Sequence, residues 1–502
     1  MNPPATLLDL LQLAPGDRTA IVVPELNLHI TYDALRQQVL AVADALAAAG
    51  IRHGNRVAIV QPNGLPAIVC FLAAAMTGTA APLNPAYPYE EFFFFLGDTS
   101  AHVLLCPHLG AEQARSAAVD RGIRVLSVVM DPQGTVHIVQ ERAGTPAVPP
   151  SPDDVALVLH TSGSTGRPKR VPLQHANLAI SACNIANTYS LSSNDVSLCI
   201  MPLFHIHGLV ASTLAPLFSG GTVVVPTKFN PLTFWRTVHE HHVTWYSGVP
   251  TMHQLLLARA HGHKHHAETL RFIFSASSPM PPEKIQKMEE LFGVPFVEAY
   301  GMTEASHQMA SNPLPPEHRK PGSVGPATGI RISIMDAQGK HLPKGQRGEV
   351  VIQGPSIFDG YDNNPEANAA SFVRAWFRTG DQGYLDEDNY LHLTGRIKDL
   401  IIRGGENVAP REVDEVLLAH PAVAEAVTFG MPHPTLGEEV ASAVVLHEHG
   451  GAHESDLLKH CRERLAEYKC PKKVFIVQSI PLTATGKVRR QQVASAILDG
   501  QQ

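Results

Sequence analysis

Short apolar runs alternate with helical patterns from residue 18 to about residue 150. Arg56-Val-Ala-Ile-Val60, Val103-Leu-Leu-Cys106 and Val125-Leu-Ser-Val-Val-Met130 are short and rich in aliphatic residues, which predicts strands. Residues 66–76 predict an apolar helix. Strands alternating with helices predict a layered α/β sheet. The Pro-rich Gly144-Thr-Pro-Ala-Val-Pro-Pro-Ser-Pro152 reads as a surface connection. The strand pattern resumes at Val155-Ala-Leu-Val-Leu159, Thr222-Val-Val-Val225 and Phe272-Ile-Phe274. Residues 313–321 predict a loop, and residues 322–393 are strand-rich, at 330–335, 349–352 and 390–393.

The pattern changes after Gly395-Arg-Ile-Lys-Asp399, a short polar hinge candidate. Pro410 at a first helical turn opens a helix to residue 419, because its missing N–H is not needed there. Strands are predicted at 423–429, 441–446 and 474–477, and Ser455 is expected to cap a helix reaching about residue 467. The division expected is an N-terminal domain over 1–396 and a small C-terminal α+β domain over 397–502.

Composition narrows the classes. The chain has 502 residues, enough for about three units of ~150 residues. With 44% hydrophobic and 17% charged residues it is globular rather than disordered. Its formal net charge of −7, without a strongly basic stretch, argues against nucleic acid as a partner. The six cysteines show neither C-x-x-C pairs nor zinc-finger spacing, which argues for free thiols in a reducing compartment. A signal peptide, a membrane span and a peroxisomal address are not expected, so a cytoplasmic location is. His261-Gly-His-Lys-His-His266 reads as a solvated loop rather than a metal site.

The strongest chemical signal is Thr161-Ser-Gly-Ser-Thr-Gly-Arg-Pro-Lys169, directly after the 155–159 strand. Glycines allow successive N–H groups to surround an anion; hydroxyls and the Lys169 ammonium add donors. This suits a polyphosphate, although the Walker A spacing is absent. Elsewhere single residues stay ambiguous. Glu304 suits Mg²⁺ beside phosphates or an acid at a helix N-terminus; Asp381 suits two ribose hydroxyls or a turn; Arg396 suits a nucleotide or a surface ion pair. Lys487 alone is an ordinary surface lysine.

Taken in order, that loop, Tyr300-Gly-Met-Thr-Glu304, Thr379-Gly-Asp381, Gly395-Arg-Ile-Lys398 and Pro481-Leu-Thr-Ala-Thr-Gly-Lys487 resemble the adenylate-forming superfamily of acyl-CoA synthetases, adenylation domains and luciferases. The resemblance spans essentially the whole chain. It implies the adenylate-forming α/β fold with a mobile C-terminal domain hinged at Lys398. It also implies a two-step ligation using ATP, Mg²⁺ and CoA. Thr161, Ser162, Gly163, Ser164, Thr165, Gly166, Lys169, Ala299, Tyr300, Gly301, Asp381 and Arg396 would bind ATP and AMP. Lys487, His205, Thr303 and Glu304 would be catalytic, Glu304 also holding the metal. Gly404 and Gly405 would line the thiol path. The family loop often has Gly after the lysine; here Arg170 stands there, either as an extra phosphate contact or, as expected, pointing harmlessly outward.

A small dicarboxylate needs polar groups for its second charge, since an unpaired buried carboxylate is very costly. His205, His207, Ser275, Ser277, Ser278 and His307 offer them. Tyr300-Gly-Met-Thr-Glu-Ala-Ser-His307, Ser311-Asn-Pro-Leu-Pro315, Lys320-Pro-Gly-Ser-Val-Gly325, Thr233-Phe-Trp235, Thr244-Trp-Tyr-Ser-Gly-Val-Pro-Thr251 and Asn363-Asn-Pro-Glu-Ala-Asn368 resemble the oxalate–CoA ligases of plants and fungi. By that likeness His307 and a serine of the 275–278 stretch (Ser275, Ser277 or Ser278) would hold the distal carboxylate, and His205 would flank the reacting one. Malonyl-CoA and 4-coumarate-type synthetases, and a stand-alone adenylation domain loading a carrier protein, are the rivals. A degenerate nucleotide-binding scaffold is disfavoured because Lys487, Glu304, Asp381 and Arg396 are all present. A monomer or homodimer is expected.

Overall fold

Parallel strands need long crossovers, and the helical stretches between the apolar runs supply them. The computed structural model describes residues 4–139, 146–161, 168–260, 267–447, 450–481 and 490–499. Among these, the strands form four sheets. A seven-stranded sheet runs Val136–Ile138, Arg124–Met130, Ala101–Pro107, Arg56–Ile59, Thr79–Pro82, Val155–Thr161, Lys169–Gln174. Its inner five strands are parallel and its two edges antiparallel. An eight-stranded sheet runs His307–Ser311, Phe296–Met302, Phe272–Ser275, Trp245–Gly248, Val196–Cys199, Thr222–Val224, Thr19–Val23, Leu28–Thr31. It too has a parallel centre with antiparallel edges.

The helix Leu65–Thr77 is buried along nearly its whole length and shares one core with residues of both sheets. A helix apolar all round belongs in such a position. A third, antiparallel sheet contains Arg331–Met335, Gly348–Gln353, Trp376–Leu385, Phe372–Val373 and Leu391–Arg396. The fourth belongs to the smaller C-terminal unit. It joins Glu406–Val408, Ile401–Arg403, Gly437–Leu446 and Val423–His433 to the parallel edge strand Lys473–Ile476. Helices Pro410–Leu418 and Glu454–Arg462 close a core of its own around Ile401, Val413, Leu417 and Leu457.

The expected strands are present. One expectation is corrected. The helix assigned to a Ser455 cap begins at Glu454 and ends at Arg462, because the Asp456 carboxylate accepts the His453 N–H at 2.9 Å and fixes the start earlier. The N-terminal segment contains the helix Leu7–Gln12, whose start is capped by the Thr6 hydroxyl accepting the Asp9 N–H. All six cysteines are unbridged and buried. Among the described residues no helix is long and apolar enough to cross a membrane. The 261–266 stretch lies outside the described residues.

Candidate active site

In open parallel sheets ligands settle outside the carboxyl ends of the strands. Three such ends converge here. Val196–Cys199 leads to His205, Phe272–Ser275 leads to Ser277, and Phe296–Met302 leads to Thr303 and Glu304. Between them lies a cavity of about 30 Å³ lined by His205, Ile206, Ala276, Ser277, Gly301, Met302, Thr303 and His307.

The walls are held in unusual conformations. Ser277, Ser306 and His307 have φ of 76°, 55° and 105°. Non-glycine residues reach such values only where the surroundings impose them, and they cluster at functional sites. Ser181 on the helix His175–Thr188 donates to the Ser306 carbonyl at 2.6 Å. Gly301 permits the rest: a Cβ there would stand 2.0 Å from the His307 carbonyl oxygen. His307 itself is buried, paired in register with Met302, its ring centroid 4.8 Å from that of His207. His205 Nδ1 accepts the His207 N–H at 3.2 Å, so a neutral His205 ring carries its proton on Nε2 and can donate to a carboxylate. His207 opens a π-helical stretch, His207–Leu214, a distortion common at functional sites. Ser275 corrects its expectation. It ends its strand fully buried and does not line the cavity, because the chain turns only afterwards, at Ser277.

A second group of residues lies beside this cavity. Thr161 and Lys169 pair across the hairpin that brackets the polar loop. The Lys169 ammonium sits 4.5 Å above the Tyr361 ring, and the Tyr361 hydroxyl donates to Glu304 at 2.9 Å. Glu304 is buried, and that burial pushes its carboxyl up from the ordinary range. Asp381 and Arg396 are register partners on adjacent strands, ion-paired at 3.0 Å, and Asp381 also accepts the Tyr300 hydroxyl at 2.5 Å. The buried Glu304 carboxylate, close to the Lys169 ammonium, fits Mg²⁺, which usually takes one or two protein carboxylates and completes its shell with phosphate oxygens and water. Ser162, Gly163, Ser164, Thr165, Gly166 and Lys487 lie outside the described residues.

Arg170 does not point outward. Its side chain is 14% exposed and lies between Asp98 and Asp362, because its strand neighbour Lys169 takes the opposite face toward Tyr361. Lys398 is exposed in the short turn Ile397–Asp399 that follows the strand ending at Arg396. Gly404 and Gly405 form the tip of a hairpin in which Arg403 pairs with Glu406. Both have positive φ, 60° and 91°, the requirement of a type I′ turn.

Sequence reasoning missed Tyr361, Asp362 and Ser181. An aromatic beside an aspartate after glycine carries no chemical signature by itself, and Ser181 acts only through a backbone carbonyl 125 positions away.

The fold and this constellation define an adenylate-forming enzyme. The AMP-binding enzyme family model matches residues 11–362, and that of the AMP-binding enzyme C-terminal domain matches residues 412–487. The chain belongs to this family and is an acid–CoA ligase of the adenylate-forming class. It is 45% identical to a probable CoA ligase, CCL9, of Humulus lupulus, covering 98% of this chain and 97% of that one. It is 44% identical to an oxalate–CoA ligase of Arabidopsis thaliana, covering 96% of each. Among solved structures it superposes on ATP-bound MatB from Rhodopseudomonas palustris with TM-score 0.92 at 31% identity, covering 99% of this chain and 100% of that one.

Proposed function

We propose that the acid is oxalate and that the enzyme forms oxalyl-CoA, AMP and pyrophosphate. The observation that carries this reading is the cavity of about 30 Å³ walled by His205, Ser277, Thr303 and the strained His307. So little space, edged with polar groups, suits a two-carbon dianion. An aromatic acid would need a deep apolar pocket. The similar Arabidopsis thaliana protein, an oxalate–CoA ligase, supports the same substrate.

In the first half-reaction one oxalate carboxylate oxygen attacks the α-phosphorus of ATP and the bond to pyrophosphate breaks. His205 Nε2–H steadies the attacking carboxylate. His307 and Ser277 hold the distal one. Lys169 and the Thr161 hydroxyl contact the phosphates, and Asp381 takes the ribose hydroxyls, with Arg396 beside it. Glu304 would hold Mg²⁺, which when bound would neutralise phosphate charge. Lys487 stabilises the charge developing between carboxylate and α-phosphate, a kind of contact worth about 10²–10³ in rate. The unit from residue 397 then turns about Lys398 and brings the Gly404-Gly405 tip to the CoA path. The CoA thiolate attacks the acyl carbon and AMP leaves with its bonding electrons.

The test is pyrophosphate release with ATP, Mg²⁺ and oxalate, malonate, acetate, 4-coumarate or a mid-chain fatty acid, each with and without CoA. CoA-dependent turnover with oxalate is expected. Preferred turnover of 4-coumarate or the fatty acid would refute the substrate and the roles of His307 and Ser277. His307→Ala should raise the oxalate KM strongly, and an unchanged KM would remove that role.

A further inference from the structure

Arg170 joins a charge network that the ligation steps leave unused. Its Nε lies 3.1 Å from Asp362 Oδ2, its Nη1 lies 3.6 Å from Asp98 Oδ2, and its carbonyl accepts the Asp362 N–H at 3.1 Å. Its guanidinium also donates to the Asp98 carbonyl. Arg56 pairs with the same Asp362 carboxylate and donates to the Thr99 carbonyl at 2.8 Å. Asp98 is paired with His160 at 2.9 Å, and His160 is the register partner of Arg170. Four separate segments therefore meet on one partly buried cluster: the 56 strand, the end of the helix Tyr89–Thr99, the hairpin bracketing the polar loop, and the turn at 362.

The turn at 362 matters because of its neighbour. Tyr361 donates to Glu304 and lies under the Lys169 ammonium. Its own backbone is clasped by Asn368, which accepts the Tyr361 N–H at 2.7 Å and donates to its carbonyl at 2.9 Å. Asp362 is thus the point where the loop hairpin and the Tyr361 segment are tied together.

We propose that Arg170 is a positioning residue for nucleotide binding: through Asp362 it fixes the Tyr361 ring, and so sets where Lys169 and Glu304 stand, without touching substrate. This rests on the assignment of Lys169 to ATP. Partners that form one network are non-additive when removed together.

The test combines Arg170→Ala, Arg170→Lys, Asp362→Asn, the double variant Arg170→Ala/Asp362→Asn, and Lys169→Ala. KM for ATP and for the acid and kcat are measured, together with calorimetric ATP binding without acid or CoA. Arg170→Ala and Asp362→Asn should each raise the ATP KM and the ATP dissociation constant by about tenfold, the size of one charge-assisted contact. The acid KM should stay within about twofold, and the double variant should be no worse than Arg170→Ala. Arg170→Lys should restore part of the loss. If Arg170→Ala does not fold, Asp362→Asn and Arg170→Lys carry the same comparison. An unchanged ATP KM in Arg170→Ala and Asp362→Asn, with Lys169→Ala impaired, overturns the proposal alone. An unimpaired Lys169→Ala overturns the assignment of Lys169. Equal rises in acid and ATP KM, or additive losses in the double variant, reduce Arg170 to a structural role and also overturn the proposal.

Discussion

Asp381 and Arg396 face each other across one antiparallel ladder, ion-paired at 3.0 Å, two residues before Lys398. If Asp381 serves ribose hydroxyls as proposed, it does so by sharing or releasing Arg396, and the nucleotide would meet the start of the C-terminal unit at one carboxylate. Asp381→Asn removes the charge that pairs with Arg396 and that the proposed ribose contacts would use. Contacts to a charged group are worth about 1.5–3 kcal/mol each, so the ATP KM should rise about 10- to 100-fold, with the acid KM little changed. Steady-state kinetics decide it, and an ATP KM within about twofold of wild type would discard Asp381 as a ribose ligand.

Gly301 marks a close approach. A Cβ would stand 2.0 Å from the His307 carbonyl oxygen and 2.7 Å from its carbonyl carbon, both backbone atoms that cannot swing aside. Gly301→Ala should therefore displace His307 and raise the acid KM more than the ATP KM. An acid KM equal to wild type in a folded variant would show that the His307 backbone has room to move.

His175 and His253 are buried histidines kept neutral. Burial lowers each to about 4, and His175 is further tied by the Leu7 N–H at 3.2 Å and the Ala75 carbonyl at 2.9 Å. The unfolded chain takes up protons near pH 6.5, the folded one only near pH 4. The stabilisation is therefore whole above pH 6.5 and drains as pH falls toward 4, by up to about 3 kcal/mol for each residue. Urea unfolding at pH 8, 6 and 5 should show this decline, and His253→Gln should show a shallower one. Parallel wild-type and variant curves would exclude His253 as a source.

Glu298 behaves in the opposite sense. Burial pushes it up to about 7, although the Met280 N–H donates to it at 3.2 Å and Arg411 of the C-terminal unit attracts its charge. Below pH 4.5 both folded and unfolded forms are protonated. As pH rises to 7 the unfolded chain ionises first and stability falls, by about 3 kcal/mol. Glu298→Gln keeps an acceptor for Met280 without the charge. It should be about 3 kcal/mol more stable than wild type at pH 8 and equal to it near pH 4.5, measured by urea unfolding. Equal stability at both pH values would place the ionised carboxylate in a well-solvated setting.

Much was legible along the chain. The strand at 155–159, the polar loop behind it, and the Thr-Glu, Thr-Gly-Asp and Gly-Arg-Ile-Lys stretches are local. Aliphatic runs specify strands, and a short Gly-rich turn specifies a backbone that can wrap an anion, wherever the rest of the chain goes. The family, and with it the ligation chemistry, follows from those runs in order. Arg170 was misjudged because its partners Asp98 and Asp362 are 72 and 192 positions away, and a strand residue shows only which face it takes, not what covers that face.

By itself, then, the sequence determined the alternation of strands and crossovers, the turns and the residue types of the site, because each depends on neighbours a few positions apart. Only the tertiary structure decided that Ser277 rather than Ser275 lines the cavity, that Tyr361 links Lys169 to Glu304, and that His307 is forced to φ 105° against His207. Those relationships are made by separate segments that close packing of the sheets brings within a few ångströms, and positive backbone angles persist only where such packing imposes them.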